Sequence, residues 1–227
     1  PGIQSLCKNM VEGTVEFHAT MCEKFLPSAV KFHYNFNMRE FSNVFEGLCK
    51  STSDFYSKPL KFARLWKHEC GRVFGDRLTT PSEFTRFLEM LTDCTKKYFE
   101  DVEQDLVHEE PLLFTSFCTQ SMSDEYVYVD VTSWSQVRAT LEEKLKQYNE
   151  SNAIMNLVLF DEAIEHVCRI SRILETPRGN ALLVGVGGSG KQSLCRLAAY
   201  LRNLPIVTLP VTSDYTALDL KEHLKSL

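Results

Sequence analysis

Residues 180–194 read NALLVGVGGSGKQSL, and this stretch indicates the fold of the second half of the chain. An apolar run at 181–184 is followed by a glycine-rich segment, in which Gly185 and Gly190 stand five residues apart and Lys191 comes directly after. This spacing is the frame of a phosphate-binding loop, or P-loop. It predicts a strand over 181–184 that is buried on both faces, a tight loop, and a helix that starts near Gly190.

The loop has the residue types that bind phosphate groups. Glycine lets the backbone turn tightly, so that successive N–H groups point at an anion. The helix that follows adds its unpaired N–H groups and the positive end of its dipole, and Lys191 adds a full charge for the outer phosphates. We therefore predict that the chain binds ATP or ADP through Gly185, Val186, Gly187, Gly188, Ser189, Gly190, Lys191, Gln192 and Ser193.

One position departs from the usual motif. A serine or threonine normally follows the lysine, and its hydroxyl ligates Mg²⁺. This chain has Gln192 there, and the next hydroxyl belongs to Ser193. Because one residue turns a helix by about 100°, Ser193 is not expected to replace the missing ligand. The amide oxygen of Gln192 remains as a candidate Mg²⁺ ligand, so nucleotide binding is expected to survive, whereas fast Mg²⁺-dependent hydrolysis stays open.

Hydrolysis by a P-loop enzyme also needs an acidic residue on another strand and a residue that orients water. After the loop, the sequence offers one further apolar run at 205–210, which predicts a second buried strand. Asp214 and Asp219 follow it in a predicted loop and helix, so neither ends an apolar strand. No residue of this chain is therefore predicted to be catalytic, and whether the chain alone is an enzyme stays open.

The chain divides into two predicted domains near 109–111, where acidic residues and a proline interrupt the pattern. Over 1–108, apolar residues recur at steps of three and four and predict a small helical domain. Over 109–227, a strand-like alternation at 126–131, two helical stretches and the two buried runs predict the N-terminal half of an α/β P-loop domain. The predicted fold class is α+β overall.

The composition is that of a folded, mildly acidic protein. Of 227 residues, 44% are hydrophobic and 24% charged, with a formal net charge of -5. A general nucleic-acid binder would need net basicity, and no apolar run approaches the roughly 20 residues that span a bilayer. The cysteines lack a Cys-x-x-Cys pair, which argues against zinc and for reduced thiols in the cytoplasm. We expect no nucleic acid and no membrane among the partners.

The loop and its surroundings resemble the axonemal dynein heavy chains. The run at 180–194 and the stretch at 148–170, which contains LFDEA at 159–163, are similar to the start of the fourth AAA+ module of the motor ring. The first half is similar to the lid domain of the third module, through KFHYNFNMREF at 31–41 and RLWKHE at 64–69. The resemblance covers essentially the whole chain.

The resemblance implies further roles. Arg39 matches the lid arginine that senses the nucleotide of its own module, the third, and Val158, Leu159 and Phe160 stand where AAA+ modules bracket the adenine. It also implies a segment of an ATP-driven microtubule motor in the axoneme of cilia and flagella. Its partners would be the rest of the ring, other dynein subunits and, through the parent protein, microtubules. Because the third and fourth modules bind nucleotide mainly to regulate, this module is expected to be regulatory.

Two other functions stay open at the level of sequence. A P-loop phosphotransferase would need a complete parallel sheet and a lid over its acceptor substrate. A structural segment would keep the phosphate loop empty and serve only the contact between domains. A measurement of nucleotide affinity distinguishes a structural segment, which would not bind, from the motor segment and the phosphotransferase, which would. A measurement of phosphate transfer identifies the phosphotransferase.

Overall fold

The computed structural model describes residues 2–118 and 127–225, with side chains from residue 6 onward. Most of this part of the chain is helical, and two short strands, β1 (Phe114–Thr115) and β2 (Val129–Asp130), pair antiparallel with Phe114 opposite Asp130. The elements follow the order α1 (Gly2–Lys24), α2 (Met38–Leu48), α3 (Pro59–Val73), a 3₁₀ turn (Gly75–Arg77), α4 (Pro81–Tyr98), α5 (Gln104–His108), β1 (Phe114–Thr115), β2 (Val129–Asp130), α6 (Trp134–Ser151), α7 (Asp161–Glu175), α8 (Lys191–Leu201) and α9 (Ala217–Lys225).

The first half is helical, as its periodicity predicts. α1 buries Phe17 and Met21 on one face. The Phe17 ring meets Trp66 of α3 and Phe87 of α4 edge to face, with ring centroids 6.3 and 5.6 Å apart. Such aromatic pairs contribute about 0.5–1.5 kcal/mol beyond the area they bury. The helices of this half therefore pack around a core of their own.

The start of α4 confirms one half of a predicted capping box. Thr80, Pro81 and Glu83 predict a box in which two side chains cap each other's backbone N–H groups. The Thr80 hydroxyl oxygen accepts the Glu83 N–H at 3.4 Å, as expected. The Glu83 carboxylate, however, accepts the Lys31 ammonium at 2.6 Å and the Thr80 hydroxyl at 2.7 Å, so the reciprocal bond was predicted wrongly. These hydrogen bonds lower the pKa of Glu83 to about 2.

The two apolar runs predicted as buried strands do not form strands. Residues 181–184 and 205–210 pair with no strand in the described part of the chain, and Leu182 and Val184 are 88% and 87% exposed. The prediction failed because a strand is held by the N–H and C=O groups of neighbouring strands, and these two runs do not pair with each other. The alternation predicted at 126–131 is a strand only at Val129–Asp130, and Tyr126 lies outside the described residues.

Two hydrophobic cores follow each other along the chain. The first is formed by α1 to α5 around Trp66 and Phe74, and the second by α6, α7 and α8 around Ile164 and Leu197. The short sheet lies where they meet, because Phe114 packs into the first core while its neighbour Leu113 packs into the second. The fold is thus a helical domain followed by the first part of an α/β P-loop domain, as predicted.

Arg64 of α3 fixes the segment that connects the two halves. Its buried guanidinium donates hydrogen bonds at 2.7, 2.9 and 3.0 Å to the carbonyl oxygens of Leu106, Glu109 and Pro111. The planar guanidinium presents five N–H donors, so it can satisfy all three acceptors at once. Residues 109–111 are therefore held against α3 and are not a loose linker.

A buried ion pair joins the two halves directly. Arg172 of α7 donates from Nε to both carboxylate oxygens of Glu69 on α3, at 3.2 and 3.1 Å, and from Nη2 to one of them. The Tyr128 hydroxyl donates to the same carboxylate at 2.7 Å. The Glu69 side chain is 0% exposed and that of Arg172 is 10% exposed. Burial opposes the charge on Arg172, but Glu69 outweighs it and raises the pKa of the guanidinium. We call Glu69, Tyr128 and Arg172 the Glu69 cluster.

Gly47 makes room for this cluster, and its replacement by alanine is expected to destabilise the protein. A Cβ atom at Gly47 of α2 would lie 1.8 Å from Glu69 Oε2. Since Arg172 and Tyr128 fix that carboxylate, Gly47→Ala should cost about 1–3 kcal/mol, the usual range for overpacking. The matched control is Gly71→Ala on α3, where a Cβ atom would meet nothing within 4 Å. There alanine should stabilise the helix by up to about 1 kcal/mol. Urea unfolding of both variants checks the difference, and equal midpoints would contradict it.

Candidate functional site

The predicted phosphate loop lies between the apolar run at 181–184 and α8. Gly188 and Gly190 have φ angles of 78° and 77°, a left-handed conformation that glycine adopts without strain. Gly190 is the N-cap of α8, which begins at Lys191, as the sequence predicts. The two glycines therefore allow the sharp turn of the backbone that precedes the first residue of α8.

The Lys191 side chain folds back over this loop. Its ammonium donates to the carbonyl oxygens of Gly185 at 2.9 Å and Val186 at 2.7 Å, and to the Ser189 hydroxyl at 3.1 Å. A Cβ atom at Gly185 would lie 3.1 Å from Ser189 Oγ, so a larger residue there would crowd the loop. The structure thus brings five of the predicted residues together: Gly185, Val186, Ser189, Gly190 and Lys191.

The N-terminus of α8 is free of side-chain caps. Gly190 makes no capping hydrogen bond, and the first turn contains no acidic residue. The opposite side of the helix is anchored in the second core by Leu194, Leu197, Ala198 and Leu201. The first N–H groups of a helix and its dipole attract an anion. A fixed helix with an uncapped end beside Lys191 is suited to bind phosphate.

The proposed Mg²⁺ position has no preformed ligand set. Gln192 is exposed and Ser193 is half-buried on the next position of α8. Within residues 2–118 and 127–225, no group of three or more His, Cys, Asp or Glu side chains could hold a metal ion. Gln192 supplies only a neutral amide oxygen, so these residues fit Mg²⁺ poorly without further ligands.

Only one of the three predicted adenine-binding residues is part of the protein interior. Leu159 is buried in the second core, which it shares with Leu194 of α8. Val158 and Phe160 are exposed on either side of it, and Phe160 is the N-cap residue of α7. The structure therefore links Leu159 to the phosphate-loop helix through packing and leaves its two neighbours at the surface.

Arg39 lies in the other half of the chain. It is exposed at the start of α2, where its backbone N–H binds the side chain of Asn37 at 2.8 Å. Asn37 and Glu40 form a reciprocal capping box there, a start signal that our sequence analysis missed. The structure does not bring Arg39 to the phosphate loop, and its role toward the nucleotide of another module stays a prediction.

A second polar cluster lies at the far end of α8, and sequence analysis did not find it. Glu175 of α7 accepts hydrogen bonds from Lys50 and Ser116 and forms an ion pair with Arg202. These three partners come from distant parts of the sequence. The four residues have ordinary types and no common spacing, so no sequence pattern identifies them. We call them the Glu175 cluster.

Two remaining observations concern membrane-spanning helices and the cysteine thiols. None of the helices in the described ranges is both long and apolar enough to cross a membrane. The eight cysteines are unpaired thiols, and burial raises the pKa of Cys94 to about 12, so that this thiol is not ionised at neutral pH. Cys94 behaves as a small apolar side chain of the first core.

Comparison with known proteins agrees with this geometry. Residues 10–109 match the family described as the AAA+ lid domain, and residues 155–227 match the P-loop containing dynein motor region D4. These two matches and the phosphate loop define a P-loop protein of the AAA+ class.

The relatives give the family within that class. The chain is 46% identical to the flagellar outer arm dynein beta chain of Chlamydomonas reinhardtii and 45% identical to the ciliary dynein beta chain of Tripneustes gratilla, over 99% of its length in both cases. It is also 45% identical to the human dynein axonemal heavy chain 17 over 96% of its length. The chain belongs to the axonemal dynein heavy-chain family. It spans 5% of the length of each of these relatives.

Proposed function

We propose that this chain is a nucleotide-binding segment of the motor ring of an axonemal dynein heavy chain. The observation that carries the proposal is the phosphate loop, in which Lys191 and the uncapped N-terminus of α8 face the same turn of backbone. An anion site for the phosphates of ATP or ADP is formed by three features together: the charge of the Lys191 ammonium, the N–H groups at the start of α8, and the glycines in the left-handed conformation.

Residues 1–108 would be the lid of the third AAA+ module, and residues 109–227 the first part of the fourth. Two observations support this division: a separate hydrophobic core in each half, and family matches to a lid domain and to dynein region D4. Arg39 would then face the nucleotide of the third module. Leu159 would back the adenine of the fourth, with Val158 and Phe160 at the rim of that pocket.

The module would act as a regulator within a motor ATPase. Gln192 in place of a hydroxyl residue weakens the Mg²⁺ site that fast hydrolysis requires. Bound nucleotide would instead set the angle between adjacent modules. The partners of the chain would be the rest of the ring, other dynein subunits and, through the parent protein, the microtubules of the ciliary or flagellar axoneme.

Calorimetric titration with ADP and ATP, each with and without Mg²⁺, tests the proposal. The wild-type chain should bind both nucleotides and respond little to Mg²⁺. Gln192→Thr restores the usual hydroxyl, so Mg²⁺ should then strengthen ATP binding by about tenfold or more, since even indirect metal partners contribute that much. Gln192→Ala is the matched control and should keep the weak response to Mg²⁺.

Each other outcome has a distinct meaning. A strong Mg²⁺ response in the wild-type chain that Gln192→Ala removes would make Gln192 a true Mg²⁺ ligand and contradict the regulatory assignment. Absence of binding in a folded sample would contradict nucleotide binding and favour a structural segment. Transfer of the γ-phosphate to an added acceptor would favour a phosphotransferase.

A further inference from the structure

The Glu175 cluster joins four segments at one buried carboxylate. Glu175 is the last residue of α7, and its side chain is 8% exposed. Its carboxylate accepts hydrogen bonds from the Lys50 ammonium at 3.2 Å and from the Ser116 hydroxyl, and it forms an ion pair with the Arg202 guanidinium at 2.7 Å. Arg202 also donates to Ser116 Oγ at 3.1 Å, which closes the network. Charge-assisted hydrogen bonds of this kind are stronger and more directional than neutral ones.

Arg202 ties this cluster to the phosphate loop. It is the C-cap residue of α8, whose first residue is Lys191. The helix has 11 residues and is therefore about 16 Å long. The phosphate loop and the Glu175 cluster thus occupy opposite ends of one rigid helix, so that a tilt of α8 at the loop moves Arg202 at the other end.

Lys50 ties the same cluster to the helical first domain. It follows α2 by two residues, and its ammonium also lies 5.3 Å from the centre of the Tyr128 ring. Tyr128 in turn donates to Glu69, so the Glu175 and Glu69 clusters are continuous. Of the residues bound to the Glu175 carboxylate, Lys50 is the member that comes from the first domain.

We propose that the Glu175 cluster couples nucleotide in the phosphate loop to the C-terminal end of α2 in the lid. This inference rests on the proposed nucleotide binding. A nucleotide that holds Lys191 and the N-terminus of α8 fixes the orientation of the helix. The ion pair with Arg202 then restrains the Glu175 carboxylate. That carboxylate in turn restrains Lys50 and the turn after α2. Because coupling between two sites is reciprocal, loosening Lys50 also weakens nucleotide binding.

Hydrogen exchange measured by mass spectrometry on the 227-residue chain, with ADP as the probe, tests the coupling. In the wild type, saturating ADP should slow exchange at 45–57 by about fivefold or more, the lower end of typical coupling. Lys50→Gln and Glu175→Gln should remove this response while ADP still binds. The matched control is Lys61→Gln, which breaks a looser pair at 3.9 Å between Lys61 of the first domain and Asp130 of the second, and it should respond like the wild type.

A second measurement tests the connection without nucleotide. Lys50→Gln and Arg202→Gln share the partner Glu175, so their shifts in the urea unfolding midpoint should not add in the double variant. Additive shifts would overturn the proposal, as would an ADP response at 45–57 that persists in Lys50→Gln and Glu175→Gln. If the wild type does not bind ADP, both the proposed function and the coupling fail, whereas ADP binding without any response at 45–57 overturns the coupling alone.

Discussion

Replacing Lys191 with alanine is expected to weaken ADP binding by about 10- to 150-fold. The lysine ammonium is the full positive charge at the centre of the phosphate loop, where it now binds two carbonyl oxygens and one hydroxyl. Loss of a charge-assisted contact with phosphate costs about 1.5–3 kcal/mol, which corresponds to that change in affinity. Calorimetry of the wild type and Lys191→Ala in the same buffer measures the effect.

Two controls separate binding from folding in this experiment. Lys8→Ala removes a lysine whose side chain is 78% exposed on α1, and it should leave ADP affinity unchanged. The far-ultraviolet circular dichroism of Lys191→Ala should match the wild type, because the buried face of α8 does not include Lys191. Equal ADP affinity of the wild type and Lys191→Ala would contradict the assignment of this loop.

Replacing Arg172 with methionine is expected to cost about 3–5 kcal/mol of unfolding free energy. The variant leaves the Glu69 carboxylate buried with Tyr128 as its remaining partner in the cluster. A buried charge without its counter-ion keeps the full cost of leaving water. Urea unfolding followed by fluorescence of the two tryptophans measures the loss.

The double variant Glu69→Gln/Arg172→Met shows whether the loss comes from the unpaired charge. It should be less destabilised than the sum of the two single variants, since the carboxylate is removed together with its partner. Arg138→Met is the control, because the Arg138–Asp161 pair is exposed on both sides. It should cost less than about 1 kcal/mol. If Arg172→Met costs no more than Arg138→Met, the buried pair does not hold the halves together.

The structural features that depend on residues close together in sequence could be predicted. The helices of the first half follow from apolar residues at steps of three and four, and the phosphate loop follows from the glycine and lysine spacing. In both cases the physical cause involves residues that are close in sequence. A helix forms because apolar residues three and four apart lie on one face, which is buried. The loop forms because glycines before Lys191 adopt the left-handed conformation. The N-cap at Thr80 was predictable for the same reason.

The structural features that depend on contacts between residues far apart in sequence could not be predicted. The apolar runs at 181–184 and 205–210 have strand-like sequences, but a strand exists only with partners beside it. Glu69 and Arg172 are 103 residues apart, and neither has a neighbour in sequence that marks it as half of a buried pair. Glu83 was assigned to the wrong partner because Lys31, 52 residues away, competes for its carboxylate. Sequence patterns do not encode such competition.

The two unpaired apolar runs have a consequence for handling the chain in solution. Both expose apolar side chains, including Leu182, Val184 and Val207, next to backbone groups that no strand of the described residues covers. Such segments are templates for strand addition between molecules. The net charge of -5 opposes self-association only at low ionic strength, where repulsion is not screened. Concentrated samples in high salt should therefore aggregate through these runs first, and a charged substitution at Leu182 or Val184 should delay precipitation.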